Sequence, residues 1–185
     1  MRQIKGWGLN QNPTYKLGGV LYCIQRGNME KNKLYFIKKE YFDIYKCDDV
    51  SKNKEFDEQG EHNRPCYYAF NDGKIYWMIP ISSQIDKYEG IYNKSIKKYN
   101  ECVGISFVYI KGNKNVALLQ NMIPVTEKYI DKLYTYNGTN KPIEISEKKK
   151  KEINAKARKI IRFAKRNIKM TFTPIVDFEK RLLEE

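Results

Sequence analysis

The stretch EHNRPCYYAFNDGKIYWMIPISS, residues 61–83, decides the reading of this chain. Two β-rich runs, Tyr67–Phe70 and Ile75–Ile79, flank Asn71-Asp72-Gly73. Asp-Gly between such runs is a strong hairpin signal, because glycine adopts φ > 0 without a Cβ clash. Pro80 is expected to stop the second strand, since it has no N–H for the ladder. A hairpin closes at its loop and opens at its other end. Arg64 and Pro80 emerge together there, so His62, Arg64, Ser82 and Ser83 converge without any long-range assumption.

That set is a base or acid, a fixed cation and two hydroxyls. It suits RNA cleavage without a metal, in which a 2′-OH attacks its own neighbouring phosphorus. The enzyme must move protons and stabilise charge on the phosphoryl oxygens. His62 is the natural proton carrier, because its reference pKa of about 6.5 is near working pH. The planar fork of Arg64 fits phosphoryl oxygens, and the hydroxyls of Ser82 and Ser83 can donate to them. Each residue also has a plainer reading. His62 can be structural or simply exposed, Arg64 a surface ion-pair partner, and Ser82-Ser83 a helix N-cap pair. Capping and phosphate binding are compatible at a helix N-terminus.

Outward from the hairpin, LYFI at 34–37 predicts a strand and Lys38–Tyr45 a short helix with Tyr41 and Phe42 inward. Asp48–Gly60 is polar and reads as a loop. Apolar residues from Ile85 to Tyr99 recur at helical spacing, predicting a helix over Gln84–Tyr99. Gly104–Ile110 and Val116–Leu119 form a second hairpin around Lys111-Gly112-Asn113-Lys114. Thr126 is expected to cap a helix to about Leu133, and Ser146 one to about Ile168. Pro174–Leu183 reads as a last short helix. Residues 1–28 hold five glycines and no acid, and Met29 opens a more regular pattern. They read either as an N-terminal extension or as an upstream-translated leader before one domain spanning 29–185.

The 185 residues carry a net charge of +13, which falls to +9 without residues 1–28. So large a surplus favours a polyanionic partner. Fifteen tyrosines beside the lysines tilt that partner toward nucleic acid, although a Lys- and Tyr-rich genome would give the same composition. The helix from Ser146 concentrates the charge. Eleven Lys or Arg lie between 147 and 169, opposed only by Glu147 and Glu152. A solvated helix usually mixes signs to gain i,i+4 pairs. This one forgoes them, so Lys156, Lys159, Arg162, Lys165 and Arg166 are candidate phosphate contacts, as are Lys87, Lys94, Lys97 and Lys98 on the earlier helix. The alternative is a merely solvated Lys-rich face. Cys23, Cys47, Cys66 and Cys102 form no CxxC pair, and the lone His62 completes no zinc pattern. No metal and no cofactor are expected, and the thiols should be free. No apolar run approaches the ~18 residues that span a bilayer. With no signal-peptide pattern, a cytoplasmic chain is expected.

The segments HNRPCYYAF…KIYWMIPISS, Lys87–Tyr99 and LLQNMIPVTEKYI together resemble the toxins of type III toxin–antitoxin systems, specifically the CptN branch of the ToxN/AbiQ group, over roughly Leu34 to Lys180. The resemblance implies an α+β chain whose SH3-like, MazF/Kid-type antiparallel β-barrel is elaborated with several helices. It also implies a sequence-selective, metal-independent endoribonuclease acting in phage defence, leaving 2′,3′-cyclic phosphate and 5′-OH ends. The implied partners are target RNA and a cognate structured antitoxin RNA, assembled with the toxin into a closed oligomer. The family's strand-end pair falls on Ser82 and Ser83, with Ser83 the more important, and its upstream basic position on Arg64. Where relatives place a Lys two residues after the Ser, this chain has Ile85, and Lys87 is the nearest substitute. A non-catalytic RNA- or DNA-binding regulator explains the charge equally well, but not the convergence of His62, Arg64 and the serines.

Overall fold

A computed structural model describes residues 29–46, 64–136 and 139–185, and the backbone of strands at 14–17, 20–23, 54–57 and 60–63. The chain divides into two compact units, residues 1–30 and 31–185. In the first, β1 (Thr14–Leu17) and β2 (Val20–Cys23) pair as an antiparallel hairpin.

The second unit is α+β. Among its described residues it is built on an antiparallel sheet of seven strands. β3 (Leu34–Ile37) pairs with β6 (Cys66–Asp72), and β6 with β7 (Ile75–Ser82). Asp72 pairs with Ile75 across Gly73-Lys74, and Gly73 has φ +57°, so the sequence-predicted turn lies one residue later than expected. β8 (Ile105–Ile110) and β9 (Asn113–Leu118) form the second hairpin. Lys111 and Gly112 both have positive φ there, as a two-residue primed turn requires.

β7 does not stop at Pro80. It runs on to Ser82 because its outer edge changes partner there. β10 (Ile123–Val125) pairs with Tyr76–Met78, and β9 pairs with Ile81 and Ser82. The Ile81 N–H donates to Pro65 O at 2.9 Å, toward β6. Pro80 therefore has its missing donor on the opposite edge, in the gap between β10 and β9, where no bond is lost.

The expected barrel is not closed. The sheet runs openly from β11 (Ile130–Leu133), beside β3, to β8 at the other edge. The divided edge of β7 sends the two halves of the sheet away along separate neighbours.

Three other expectations are corrected. The segment read as a polar loop contains a hairpin, β4 (Lys54–Asp57) with β5 (Gly60–Asn63). Backbone pairing requires no apolar side chains, so polarity was a poor guide. The helix expected from Thr126 is one 3₁₀ turn, Glu127–Tyr129, followed by β11. Pairing of Ile130 with Ile37 and Leu133 with Tyr35 overrides local preference. Finally, Tyr35, Tyr41, Tyr45, Tyr67, Tyr68, Tyr88 and Tyr129 are buried, so much of the tyrosine content is core. Tyr41 stacks on Tyr45 at 4.7 Å between centroids, meets Tyr129 edge-on, and donates its hydroxyl to Pro124 O at 2.8 Å.

Four α-helices dress this sheet among the described residues. α1 (Lys39–Tyr45) buries Tyr41, Phe42 and Tyr45. α2 (Ile85–Tyr99) lays Tyr88, Ile85 and Tyr92 on Ile105, Val116 and Leu118. α3 (Glu147–Ala164) buries Ile153, Ala157, Ile160 and Ile161, and ends earlier than expected, leaving Ile168 exposed. α4 (Ile175–Glu184) buries Ile175, Phe178 and Leu182. Val116 pairs with Ser82, so Ser82 shares the face that α2 covers. Ala117 pairs with both Ile81 and Ser106, and Ser106 meets α3 on the opposite face.

Candidate active site and nucleic-acid interface

The open end of the β6–β7 hairpin holds Arg64, Ser82 and Ser83. Cys66 pairs with Pro80, and the Ile81–Pro65 hydrogen bond carries the register on, placing Arg64 opposite Ser82. Arg64 is only 4% exposed, and its Nε is buried with no hydrogen-bond partner. A buried donor left unpaired costs about 1–3 kcal/mol, more for a charged group. The guanidinium is therefore not the surface ion-pair partner that the sequence also allowed.

Ser82 is buried, and its Oγ accepts the Gln84 N–H at 3.2 Å, forming the turn into α2. The Ser83 carbonyl accepts the Ile85 N–H at 2.8 Å, and the Ser83 side chain is exposed. Gln84 occupies the N-cap, and no side-chain bond caps the helix. The simple capping role thus falls to neither serine as expected. Ser82 closes the turn, while the exposed Ser83 hydroxyl makes no hydrogen bond among the described residues. His62 pairs through its backbone with Glu55, two residues before Arg64, and its side chain lies outside what is described. Cys66, beside this site, is fully buried; burial pushes its thiol up to about 12, and the nearby Arg64 charge lowers it only in part.

Lys87, Lys94, Lys97 and Lys98 are all exposed along α2. The Lys87 ammonium lies 5.4 Å from the Tyr88 ring centroid, and that of Lys98 4.9 Å from Tyr99. The cations of α3 divide into two kinds. Contrary to the sequence reading, several make ion pairs. Lys150 bonds Glu147, and Lys149 and Lys156 bond Glu152, each at 2.7–2.9 Å. Lys156 also donates to Ile105 O at 3.1 Å and is largely buried by its side chain, so it braces α3 on β8. Burial alone would raise the Glu152 pKa, but hydrogen bonds from Lys149, Lys156 and Ser106 overcome that and hold it at about 2. Lys159 pairs with Glu101 at 2.5 Å, and Lys165 with Glu179 at 3.4 Å and Asp72 at 3.5 Å. Arg162 and Arg166 are exposed and pair with no carboxylate among the described residues. Arg158, which the sequence reading did not single out, joins them in a row at i, i+4, i+8, a spacing that could have flagged it.

Among the described residues, no group of three or more His, Cys, Asp or Glu is placed to hold a metal ion, and no helix is long and apolar enough to cross a membrane. Cys66 and Cys102 are free and buried.

No family model and no curated protein matches this sequence. The fold is nevertheless shared with proteins of bacterial defence against phage. One solved neighbour comes from a bacterial antiviral system regulated by a processed non-coding RNA. It aligns at a TM-score of 0.58 and 16% identity over 83% of this chain and 98% of its own. AbiQ, a lactococcal anti-phage endoribonuclease belonging to the type-III toxin–antitoxin system, aligns at 0.60 and 15% over 84% and 98%.

Proposed function

We propose that this chain is a sequence-selective, metal-independent endoribonuclease toxin of a type III toxin–antitoxin system, of the CptN branch. The observation that carries the reading is Arg64, a buried cation opposite Ser82 in the hairpin register, with its Nε unpartnered. Such a group is stabilised by an arriving anion. A phosphodiester there meets the Arg64 fork, the Ser83 hydroxyl and the first-turn N–H groups of α2, donors suited to charge that grows in the transition state. The substrate 2′-oxygen bonds to phosphorus as the P–O5′ bond breaks, leaving a 2′,3′-cyclic phosphate and a 5′-hydroxyl. His62 transfers a proton in this step, either from the 2′-OH or to the departing 5′-oxygen. The exposed cations of α2 and α3 hold flanking phosphates. The partner that silences the enzyme is a structured RNA bound across the same surface in a closed toxin–RNA assembly in the cytoplasm. The shared fold of AbiQ supports this reading.

The test is incubation of long RNA with the protein in excess EDTA. Cleavage should persist, and the new 5′ ends should accept phosphate from a polynucleotide kinase without prior dephosphorylation. Activity abolished by EDTA and restored by magnesium would overturn the mechanism. Tight RNA binding with no cleavage would make the chain a regulator.

A further inference from the structure

A second, separate feature lies at the other end of β6. Phe70 and Trp77, paired across β6 and β7, line a groove of about 700 Å³ beneath α3, rimmed by Arg158, Arg162, Lys165 and Arg166. Phe70 stands six residues from Arg64, about 20 Å of extended chain. The groove is therefore not part of the Arg64–Ser83 site.

The Arg158 guanidinium sits 4.1 Å from the Phe70 ring centroid. Phe70 is buried and Arg158 exposed, so a planar cation lies over the ring at the protein surface. Nucleobases stack on such guanidinium planes. Arg162 and Arg166 follow one and two turns along the same helix face and carry no partner carboxylate among the described residues, unlike Lys165 between Asp72 and Glu179. Trp77 is 1% exposed and its Nε1 is buried without a hydrogen-bond partner.

We propose that this groove is a nucleotide subsite for single-stranded RNA. A base stacks on the outer face of Arg158, and its flanking phosphates lie between Arg162 and Arg166. The inference rests on the RNA-binding part of the proposed function and gives it an anchor point remote from the Arg64–Ser83 site. Each phosphate held steepens the salt dependence of binding by about 0.7 in log–log slope. A stacked base is sequence-tolerant, so the groove strengthens binding without choosing the cut site.

The test uses a fluorescein-labelled 2′-O-methyl RNA of mixed sequence, which lacks the attacking hydroxyl, for affinity. The unmodified RNA at saturation reports cleavage. Arg162→Gln with Arg166→Gln should weaken binding at least tenfold and flatten the salt slope by about 1.4. Arg158→Lys keeps the charge but removes the stacking plane, so it should weaken binding about tenfold at unchanged slope. Arg158→Gln should weaken binding further, and all variants should melt like wild type. Wild-type affinity and slope in these variants, with cleavage intact, would overturn the groove alone. Loss of binding in the variants from a wild type that binds but does not cleave would support the groove and overturn the ribonuclease. A wild type that does neither overturns both.

Discussion

The Ser106 hydroxyl of β8 donates to Glu152 of α3 at 2.8 Å, and the same carboxylate accepts from Lys149 and Lys156. This joint ties α3 to the sheet by charge. Glu152→Gln should destabilise the fold by about 2–3 kcal/mol, because charge-assisted bonds are lost and Lys156 stays partly buried without its counter-charge. Lys156→Gln should destabilise similarly, while Lys148→Gln and Lys151→Gln on the exposed face should leave the melting temperature unchanged. The Glu152 pKa is depressed, so its contribution is present above the ordinary glutamate range of about 4.5 and is lost as pH falls toward about 2. Thermal melts between pH 6 and pH 2 should show that loss in wild type and a smaller one in Glu152→Gln. Parallel pH curves would remove Glu152 from the acid transition.

Arg64→Met should lower cleavage at least a hundredfold yet leave stability unchanged or raised, since it replaces a buried, incompletely paired cation with an apolar chain of similar volume. Arg64→Lys should recover part of the activity, as a charge without the fork. Strong destabilisation of Arg64→Met with cleavage retained would show a structural brace rather than a phosphate ligand.

The two serines should separate cleanly. Ser83→Ala should reduce cleavage by about 10²–10³ with an unchanged melt, because its exposed hydroxyl supports no turn. Ser82→Ala should cost about 0.5–1.5 kcal/mol of stability through the lost bond from Gln84 N–H. Rate assays and melts on both variants decide the matter. Near wild-type cleavage by Ser83→Ala would take that hydroxyl out of the chemistry.

His62→Ala should slow cleavage about 10²-fold or more and erase a limb of the pH–rate profile near neutrality. The check is kcat/KM from pH 5 to pH 9 for both proteins. A limb surviving in the variant would belong to another group.

The β6–β7 and β8–β9 hairpins were legible because their turn chemistry is local: Gly73, and Lys111-Gly112, adopt the positive φ that their sequence announces. Pro80 was misread because a missing donor matters only on the edge where a partner waits, and edge assignment is a tertiary fact. Thr126–Leu133 was misread for the same reason, since β3 claims Ile130 and Leu133. At the candidate site, the proximity of Arg64 to Ser82 followed from hairpin geometry alone. The depth of Arg64 did not, and neither did the division of α3 into bracing lysines and unpaired arginines. Glu101, Asp72 and Glu179, which engage that helix from elsewhere in the chain, are invisible to a helix-by-helix charge count.

The divided edge of β7 also bears on how the protein would respond to heating. One strand is hydrogen-bonded to β6, β10 and β9, and it is the strand that ends in Ser82, with Ser83 next along the chain. Its amides should exchange with solvent among the slowest in the molecule, through global opening rather than local fraying. The hydroxyls are thus carried on the last backbone to let go. Warming should produce no active, partly melted form: inactivation and unfolding should share one midpoint.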